Sequence, residues 1–404
     1  MNDLDPLWGF LTALVVALVA TPLVMRLARR VGAVVEPHDR GLHDESTPGL
    51  GGLAILSAVL VAGVVFMPWN GETRAILAGA AAIAVVGAVD DAVDLPPGLK
   101  LLGQTAAALI PVLAGVYVEN LTLPFIHRVD LGAWGIPATL AGIVVVMNVV
   151  NLTDGVDGLA AGVCTIAAVT FAVIALSLDR TGAAVLAAIT AGAAVGFLRH
   201  NFHPASIFMG DSGANLLGLL LAVVAVQGLL KTAAVVALVF PLVVLAAPIL
   251  DTGFVMAKRI KYRRPVWEAD RWHFHHRFSD IGFSQRRTVL YLYCWTVTLA
   301  ALALALRFVP YSDDDGTLNA GWAAVMAGVG LIALAASVYL VRVLEILKFR
   351  RFRERELRRQ VETGEIAALS DDEIEREIER EVETGEFEAV RPPETDEFEA
   401  VGRE

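Results

Sequence analysis

Residues 148–159 read Asn148-Val-Val-Asn151-Leu-Thr-Asp154-Gly155-Val156-Asp157-Gly158-Leu159, and they lie between two apolar runs at 136–150 and 158–178. Runs of this kind approach or exceed the ~18–20 apolar residues with which a helix crosses a bilayer. Asp154 and Asp157 are three apart, so on a helix they would share one face, and Asn148 and Asn151 repeat that spacing one turn earlier. Gly155 and Gly158 leave room for a ligand or another backbone to approach closely. Ionisable groups at or near a membrane surface are costly to keep, so this polar interruption is a candidate functional site.

The pattern extends over most of the chain. Its 404 residues are 56% hydrophobic, with a mean hydropathy of +0.62. Apolar segments recur at about 7–26, 47–68, 74–90, 100–118, 136–150, 158–178, 182–199, 212–230, 233–257, 286–309 and 320–345. A soluble globular protein is excluded, and the fold expected is an all-α polytopic membrane protein of about eleven transmembrane helices. The start, Met-Asn-Asp-Leu-Asp-Pro, lacks the basic residues and small-residue cleavage site of a removable signal, so the first helix is expected to be retained. Cys164 and Cys294 both fall in apolar segments and read as small buried hydrophobes, without a disulfide framework or metal spacing.

Charge divides the chain and orients it. Of the net charge of −11, residues 360–404 carry about −13, which leaves the membrane part at about +2. The expected organisation is a membrane domain at 1–346 and a charged tail at 347–404, helical and then disordered. The tail opens with the basic run 348–359, which suits topology anchoring and contact with anionic membrane lipid. It then repeats Val-Glu-Thr-Gly-Glu at 361–365 and 382–386, and Phe-Glu-Ala-Val at 387–390 and 398–401. Loops after the odd-numbered spans hold about 15 Lys and Arg, nine of them within 258–287, against about five in the other loops. The positive-inside rule then sets the N-terminus outside and the C-terminus in the cytoplasm. Segment 119–135 falls outside, and its alternation of Leu121, Leu123, Phe125 and then Val129, Leu131 suggests a small β-hairpin.

With that orientation every polar cluster falls on the cytoplasmic face. Asp90, Asp91 and Asp94 end the third span just before Leu95-Pro96-Pro97. Adjacent carboxylates there repel unless a cation neutralises them, and Mg²⁺ with phosphate fits because that ion prefers carboxylate oxygen. Lys100 and Gln104 follow one turn apart and offer a phosphate-binding cation and an amide. Phe208-Met-Gly-Asp211-Ser-Gly reads as a helix start, where unpaired N–H groups favour an anion or a capping carboxylate. His200, Asn201 and His203 make the loop before it more polar without defining a ligand set. The largest loop contains His273, His275, His276 and Arg277, suited to phosphoryl oxygens or proton transfer and not to the spacing of structural zinc. The first loop holds His38, Asp39, Arg40 and His43, then Thr47-Pro48-Gly49-Leu50-Gly51-Gly52.

Taken in order, Asp90-Asp91-x-x-Asp94, Asn151-Leu-Thr-Asp154-Gly-Val-Asp157-Gly-Leu, Phe208-Met-Gly-Asp211-Ser-Gly and His273-x-His275-His276-Arg277 resemble the polyprenyl-phosphate N-acetylhexosamine-1-phosphate transferases, the superfamily of the WecA and MraY types. The resemblance covers about residues 10–345. It implies a plasma-membrane enzyme, active at the cytoplasmic face, that moves a sugar-1-phosphate from a UDP-N-acetylhexosamine to polyprenyl phosphate. UMP is released, and a lipid-linked cell-envelope glycan is begun. It implies Mg²⁺, with Mn²⁺ as a substitute, held by Asp211 with Asp90 and Asp91 as the essential acidic pair. Gly155, Val156 and Asp157 match the nucleotide-binding turn, Phe208 a position near the uracil, and Asn151 and Asp154 polar residues of the same cleft. Lys100 matches a basic position, and His275 and His276, with His273 and Arg277, match the loop that helps hold the donor. The His-Phe-His-His-Arg form resembles the branch using UDP-GlcNAc, whereas phospho-MurNAc-pentapeptide transferases, the alternative within the superfamily, carry three successive histidines. Gly41 and Gly49 stand where the family often has basic residues. The resemblance admits a homodimer and implies no nucleic-acid partner.

Two rivals explain less. A prenyltransferase would use Asp90-Asp91-x-x-Asp94 but has no task for the 151–158 turn or the histidines. A cation-coupled transporter places acids near mid-membrane and often shows repeats, whereas here the acids gather at one surface.

Overall fold

The computed structural model describes residues 2–35, 47–123, 127–230, 283–309 and 319–362, with 245–246, 249–250, 252–253, 256 and 374. The described chain is overwhelmingly helical. In order it forms α1 (Asp5–Val31), α2 (Gly52–Phe66), α3 (Gly71–Val93), α4 (Pro97–Leu113), α5 (Gly135–Thr153), α6 (Leu159–Ser177), α7 (Thr181–Asn201), α8 (Gly210–Val224), α9 (Gln285–Phe308) and α10 (Ala320–Glu362). Among the described residues eight helices are long and apolar enough to cross a membrane, while α2 and α4 are shorter apolar helices. The chain is a multi-pass membrane protein. The apolar run at 233–257 lies mostly outside the described residues.

Helix ends follow local chemistry. Asn70 caps α3, its side-chain oxygen accepting the Thr73 N–H at 2.8 Å. The segment at 47–51, expected as helix, instead pairs β2 (Thr47–Pro48) with β1 (Val34–Val35), because Pro48 and a left-handed Leu50 (φ 65°) delay the helix until Gly52. The expected hairpin is present as β3 (Asn120–Leu123) antiparallel to β4 (His127–Asp130), with Leu121 opposite Val129.

Helix α8 is the axis of the fold. Every residue from Ser212 to Val224 is buried, and α2, α3, α5, α6 and α7 pack around it. In hydrocarbon, helices associate through close packing of small faces, not through exclusion of water. Accordingly α1 turns Gly9, Ala13, Ala17 and Thr21 inward, and it lies along α7. Buried hydroxyls inside the helices, such as Thr21, Thr190 and Thr296, donate to the carbonyl four residues back and so leave no unpaired donor in the apolar interior. Cys164 is buried as expected, but Cys294 is exposed on α9, where an outward position in lipid also favours an apolar side chain.

The described residues fall into two compact units. Met1–His275 with Gln285–Gly330 form the first, which holds all the site geometry below, and His276–Ser284 with Leu331–Glu404 form the second.

Candidate active site

The first cytoplasm-expected carboxylate pair splits in two directions. Asp90, in the last turn of α3, is buried; its Oδ1 accepts the Leu95 N–H at 2.8 Å and its Oδ2 pairs with Lys100 Nζ at 2.9 Å. Asp91 points instead at the start of α8. Its Oδ1 accepts the Asp211 N–H at 2.7 Å and its Oδ2 the Ser212 N–H at 3.2 Å. A helix N-terminus leaves its first N–H groups unpaired, and here a carboxylate from another helix takes two of them. The cap that the sequence suggested for Asp211 is thus supplied by Asp91.

That docking depends on missing side chains. A β-carbon at Gly87, one turn before Asp91, would collide with the Ser212 backbone. Gly52, at the start of α2, faces the Ser212–Gly213 backbone just as closely. Gly210 has φ +70° and a β-carbon there would press on the Asp91 carboxylate, so only glycine suits it on both counts. The first loop adds a backbone clasp: Phe208 N–H donates to Pro48 O at 2.9 Å, Gly51 N–H to Phe208 O at 3.1 Å, and Gly52 N–H to Met209 O at 3.0 Å. The glycine-rich entry to α2 therefore serves the Asp211 motif directly.

With α8 fixed in this way, Asp211 meets two further helices. Its Oδ2 pairs with Lys100 Nζ from α4, and its Oδ1 accepts the Asn151 Nδ2 amide from α5 at 2.6 Å. Lys100 Nζ also approaches Asn151 Oδ1 at 3.5 Å. Lys100, Asn151 and Asp211 thus close a triangle, and Asp90 joins it through the lysine. Oxygens of Asp90, Asn151 and Asp211 all face one cation, here the lysine ammonium. That donor set fits Mg²⁺, which takes one or two carboxylates and completes its shell with water and substrate phosphate. Both oxygens of Asp91 are engaged by the α8 amides. Among the described residues no group of three or more His, Cys, Asp or Glu is spaced to hold a metal ion.

The stretch at 148–159 departs from its expected form. Asn148 and Asn151 do lie on one helix, α5, but that helix ends at Thr153 and α6 begins at Leu159, so Asp154 and Asp157 occupy a turn and share no helical face. Gly158, at φ +79°, closes the turn. Gly155 is exposed at its tip and Val156 is buried. Asp157 is buried and turned inward: its Oδ2 lies 2.9 Å from His203 Nδ1 and accepts the Ala205 N–H at 3.0 Å. Asn201 completes the seam, accepting the Gly158 N–H at 3.0 Å and donating to Ile207 O at 3.0 Å. From α9, Tyr293 donates its hydroxyl to Gly158 O and Arg286 donates to His203 O at 3.2 Å. Asp154 is near enough to feel Asp211, Asp91 and Asp157. Burial first, then those charges, holds its carboxyl well above the ordinary carboxylate range.

The structure therefore brings Asp90, Asp91, Lys100, Asn151, Asp154 and Asp211 to one end of the bundle, with Asp157 and Phe208 in the adjoining turn and clasp. His273, His275, His276 and Arg277, and the first-loop residues 36–46, lie outside the described residues. Asn201, His203, Arg286 and Tyr293 gain their places only through tertiary contact. Asn201, which ends α7, and His203 just beyond it were visible as polar, but their partners were not.

Comparison with known proteins shows the family. Residues 73–229, which include the acidic pair, Lys100, the turn and Asp211, match the family model described as Glycosyl transferase family 4. A "Probable undecaprenyl-phosphate N-acetylglucosaminyl 1-phosphate transferase" of Bacillus subtilis is 38% identical over 302 residues, 74% of this chain and 84% of the relative. A "Decaprenyl-phosphate N-acetylglucosaminephosphotransferase" of Mycobacterium leprae is 36% identical over 74% of this chain and 83% of the relative. A "Phospho-N-acetylmuramoyl-pentapeptide-transferase" of Desulforudis audaxviator is 34% identical over 74% of this chain and 95% of the relative. With identities of this size over most of each relative, the chain belongs to glycosyl transferase family 4, in the superfamily of polyprenyl-phosphate N-acetylhexosamine-1-phosphate transferases.

Proposed function

We propose that the protein transfers GlcNAc-1-phosphate from UDP-GlcNAc to polyprenyl phosphate at the cytoplasmic membrane face, which begins a lipid-linked cell-envelope glycan. The observation that carries this reading is the convergence of Asp90, Lys100, Asn151 and Asp211, from four helices, on a single cation position. Phosphoryl transfer asks a protein for positioning and charge neutralisation more than for covalent chemistry. An oxygen of the lipid phosphate attacks the donor's β-phosphorus and forms the new P–O bond. The bond from that phosphorus to the bridging oxygen breaks, and UMP leaves with the oxygen. The lipid phosphate is already an anionic nucleophile, so no aspartyl intermediate is needed.

In this reading Asp211, with Asp90, holds Mg²⁺, which would neutralise the diphosphate and polarise its oxygens. Lys100 exchanges its carboxylate partners for phosphate oxygens as substrate enters. Asn151 orients Asp211. Asp91 positions the start of α8, because both its oxygens already serve amides there. The turn at Gly155–Val156–Asp157, beside Phe208, takes the nucleoside. His273, His275, His276 and Arg277 contribute donors to the diphosphate or sugar. The basic loops that follow alternate spans support the cytoplasmic placement, the run at 233–257 supplies the eleventh span, the basic run 348–359 meets anionic lipid, and the acidic remainder of the tail is an appendage.

The test is UMP release by purified protein with Mg²⁺ and polyprenyl phosphate, with UDP-GlcNAc and UDP-MurNAc-pentapeptide offered in parallel. Release with the first alone is expected. Release with the second alone would keep the reaction and reverse the donor; silence with both would overturn the assignment.

A further inference from the structure

One turn deeper than the Lys100–Asn151–Asp211 triangle lies a second three-residue layer that the reaction does not use. Lys100 plus four is Gln104 on α4, Asp211 plus four is Asn215 on α8, and Asn151 minus three is Asn148 on α5. Since α4 and α8 start at the polar end and α5 finishes there, all three steps lead inward along the bundle. Gln104 and Asn215 are 1% and 2% exposed, among residues such as Ala107, Ala108, Met147 and Leu216.

The three amides join into one chain, with a longer return contact from Gln104 Nε2 to Asn148 Oδ1 at 3.4 Å. Asn148 Nδ2 donates to Gln104 Oε1 at 2.8 Å, Gln104 Nε2 donates to Asn215 Oδ1 at 2.8 Å, and Asn215 Nδ2 donates to the main-chain oxygen of Asp211 at 2.8 Å. Asn148 also donates to Val144 O at 2.8 Å. The chain thus ends on the backbone of the residue whose side chain closes the upper triangle. Amides in an apolar core cost free energy unless they are paired, and a paired network tolerates only one arrangement of its members. Leucine at these places would cost nothing in such a core, so the amides answer a need for specificity instead of cohesion.

We infer that Gln104, Asn148 and Asn215 are positioning residues: they lock α4, α5 and α8 in rotational register so that Lys100 and Asn151 reach Asp211 together. The inference deepens the proposed transferase reading, on which its kinetic arm rests. Its chemical arm does not.

The experiment compares Gln104→Leu, Asn215→Leu and the double variant in purified full-length protein. One readout is the rate of UMP release with UDP-GlcNAc, polyprenyl phosphate and Mg²⁺. The other is acylation of Lys100 by a water-soluble acetylating reagent, read by peptide mass spectrometry. Each single variant is expected to lose 10- to 100-fold in kcat with KM for the donor within about threefold, as for a displacement of about 1 Å, and to melt below the wild type because the remaining buried amides lose a partner. The double variant should lose no more than the worse single one, since members of one network are not additive. Lys100 acylation should rise severalfold in each, because the lysine leaves its carboxylates. Gln104→Glu, which keeps the acceptor for Asn148 but not the donor to Asn215, should also fail, whereas the exchange Gln104→Asn with Asn148→Gln should recover part of the rate. Full kcat with unchanged acylation in the leucine variants would overturn the inference, as would losses that simply multiply in the double variant. A wild type that releases no UMP, with acylation rising in the variants, would remove the transferase reading and leave the register intact.

Discussion

At the scale of the residue, adjacent aspartates have separate tasks. Asp90 faces a lysine and Asp91 faces two amides, although they neighbour each other in sequence. Asp211→Asn removes the carboxylate that meets both Lys100 and Asn151, and a loss of about 10²–10³-fold in UMP release is expected. Asp91→Asn keeps one carbonyl acceptor for the α8 amides and should retain clearly more activity. Asp91→Ala, which loses the cap, should cost about 0.5–2 kcal/mol of stability as well. Equal losses in Asp91→Asn and Asp211→Asn, measured side by side, would move Asp91 into contact with the reacting groups. Asp154 makes a prediction in pH. Its folded carboxyl titrates above the ordinary range, so the folded state binds that proton more tightly than the unfolded chain. The contribution is fully favourable below the unfolded value and is lost as pH rises through the folded one. Asp154→Asn should therefore raise the thermal midpoint at neutral pH, and the gain should vanish as pH falls into the ordinary carboxylate range. An equal gain at both ends of that series would show that its charge is not the cause.

At the scale of the element, the start of α8 is where most of the chain's specificity is concentrated. Gly52 and Gly87 leave no room between α2, α3 and the α8 backbone. Gly87→Ala should force α3 and α8 apart, cost about 1–3 kcal/mol, and slow UMP release by far more than its change in volume suggests. A Gly87→Ala variant with normal rate and midpoint would show that the helices yield freely there. These elements also mark how far the sequence could be read. The helical segments, the β3–β4 hairpin and the shared location of Asp90, Lys100, Asn151 and Asp211 follow from apolar run length, alternation and motif order. The turn at 154–158 followed only from the resemblance, because three-residue spacing by itself suits a helix. The tasks of Gly87, His203 and Tyr293 did not follow, their partners being 120 or more residues away or, for His203, on the far side of α7. Such close approaches are properties of packing, and a single sequence records only one side of them. The same seam fastens α9 through Arg286 and Tyr293.

At the scale of the whole molecule, the site and the scaffold are the same object. The most buried helix, α8, carries Asp211 on its first turn, and the helices around it carry the partners. A shift of α8 therefore moves Asp211 away from its partners on α4 and α5. It follows that metal should matter to rate and not to folding. Chelation is expected to abolish UMP release while leaving the thermal midpoint of the substrate-free protein unchanged, whereas a metal bound without substrate at a hundred times its Kd would contribute about 2.7 kcal/mol. A large fall in midpoint on chelation would contradict this. The reason is Lys100, which stands between Asp90 and Asp211 as a tethered counter-ion. An empty acidic cleft normally repels its own walls or collects whatever cation is abundant. Here the protein carries its placeholder on a flexible four-carbon arm, so the resting cleft is already partly neutralised, and an arriving diphosphate is met by a cation with somewhere else to go.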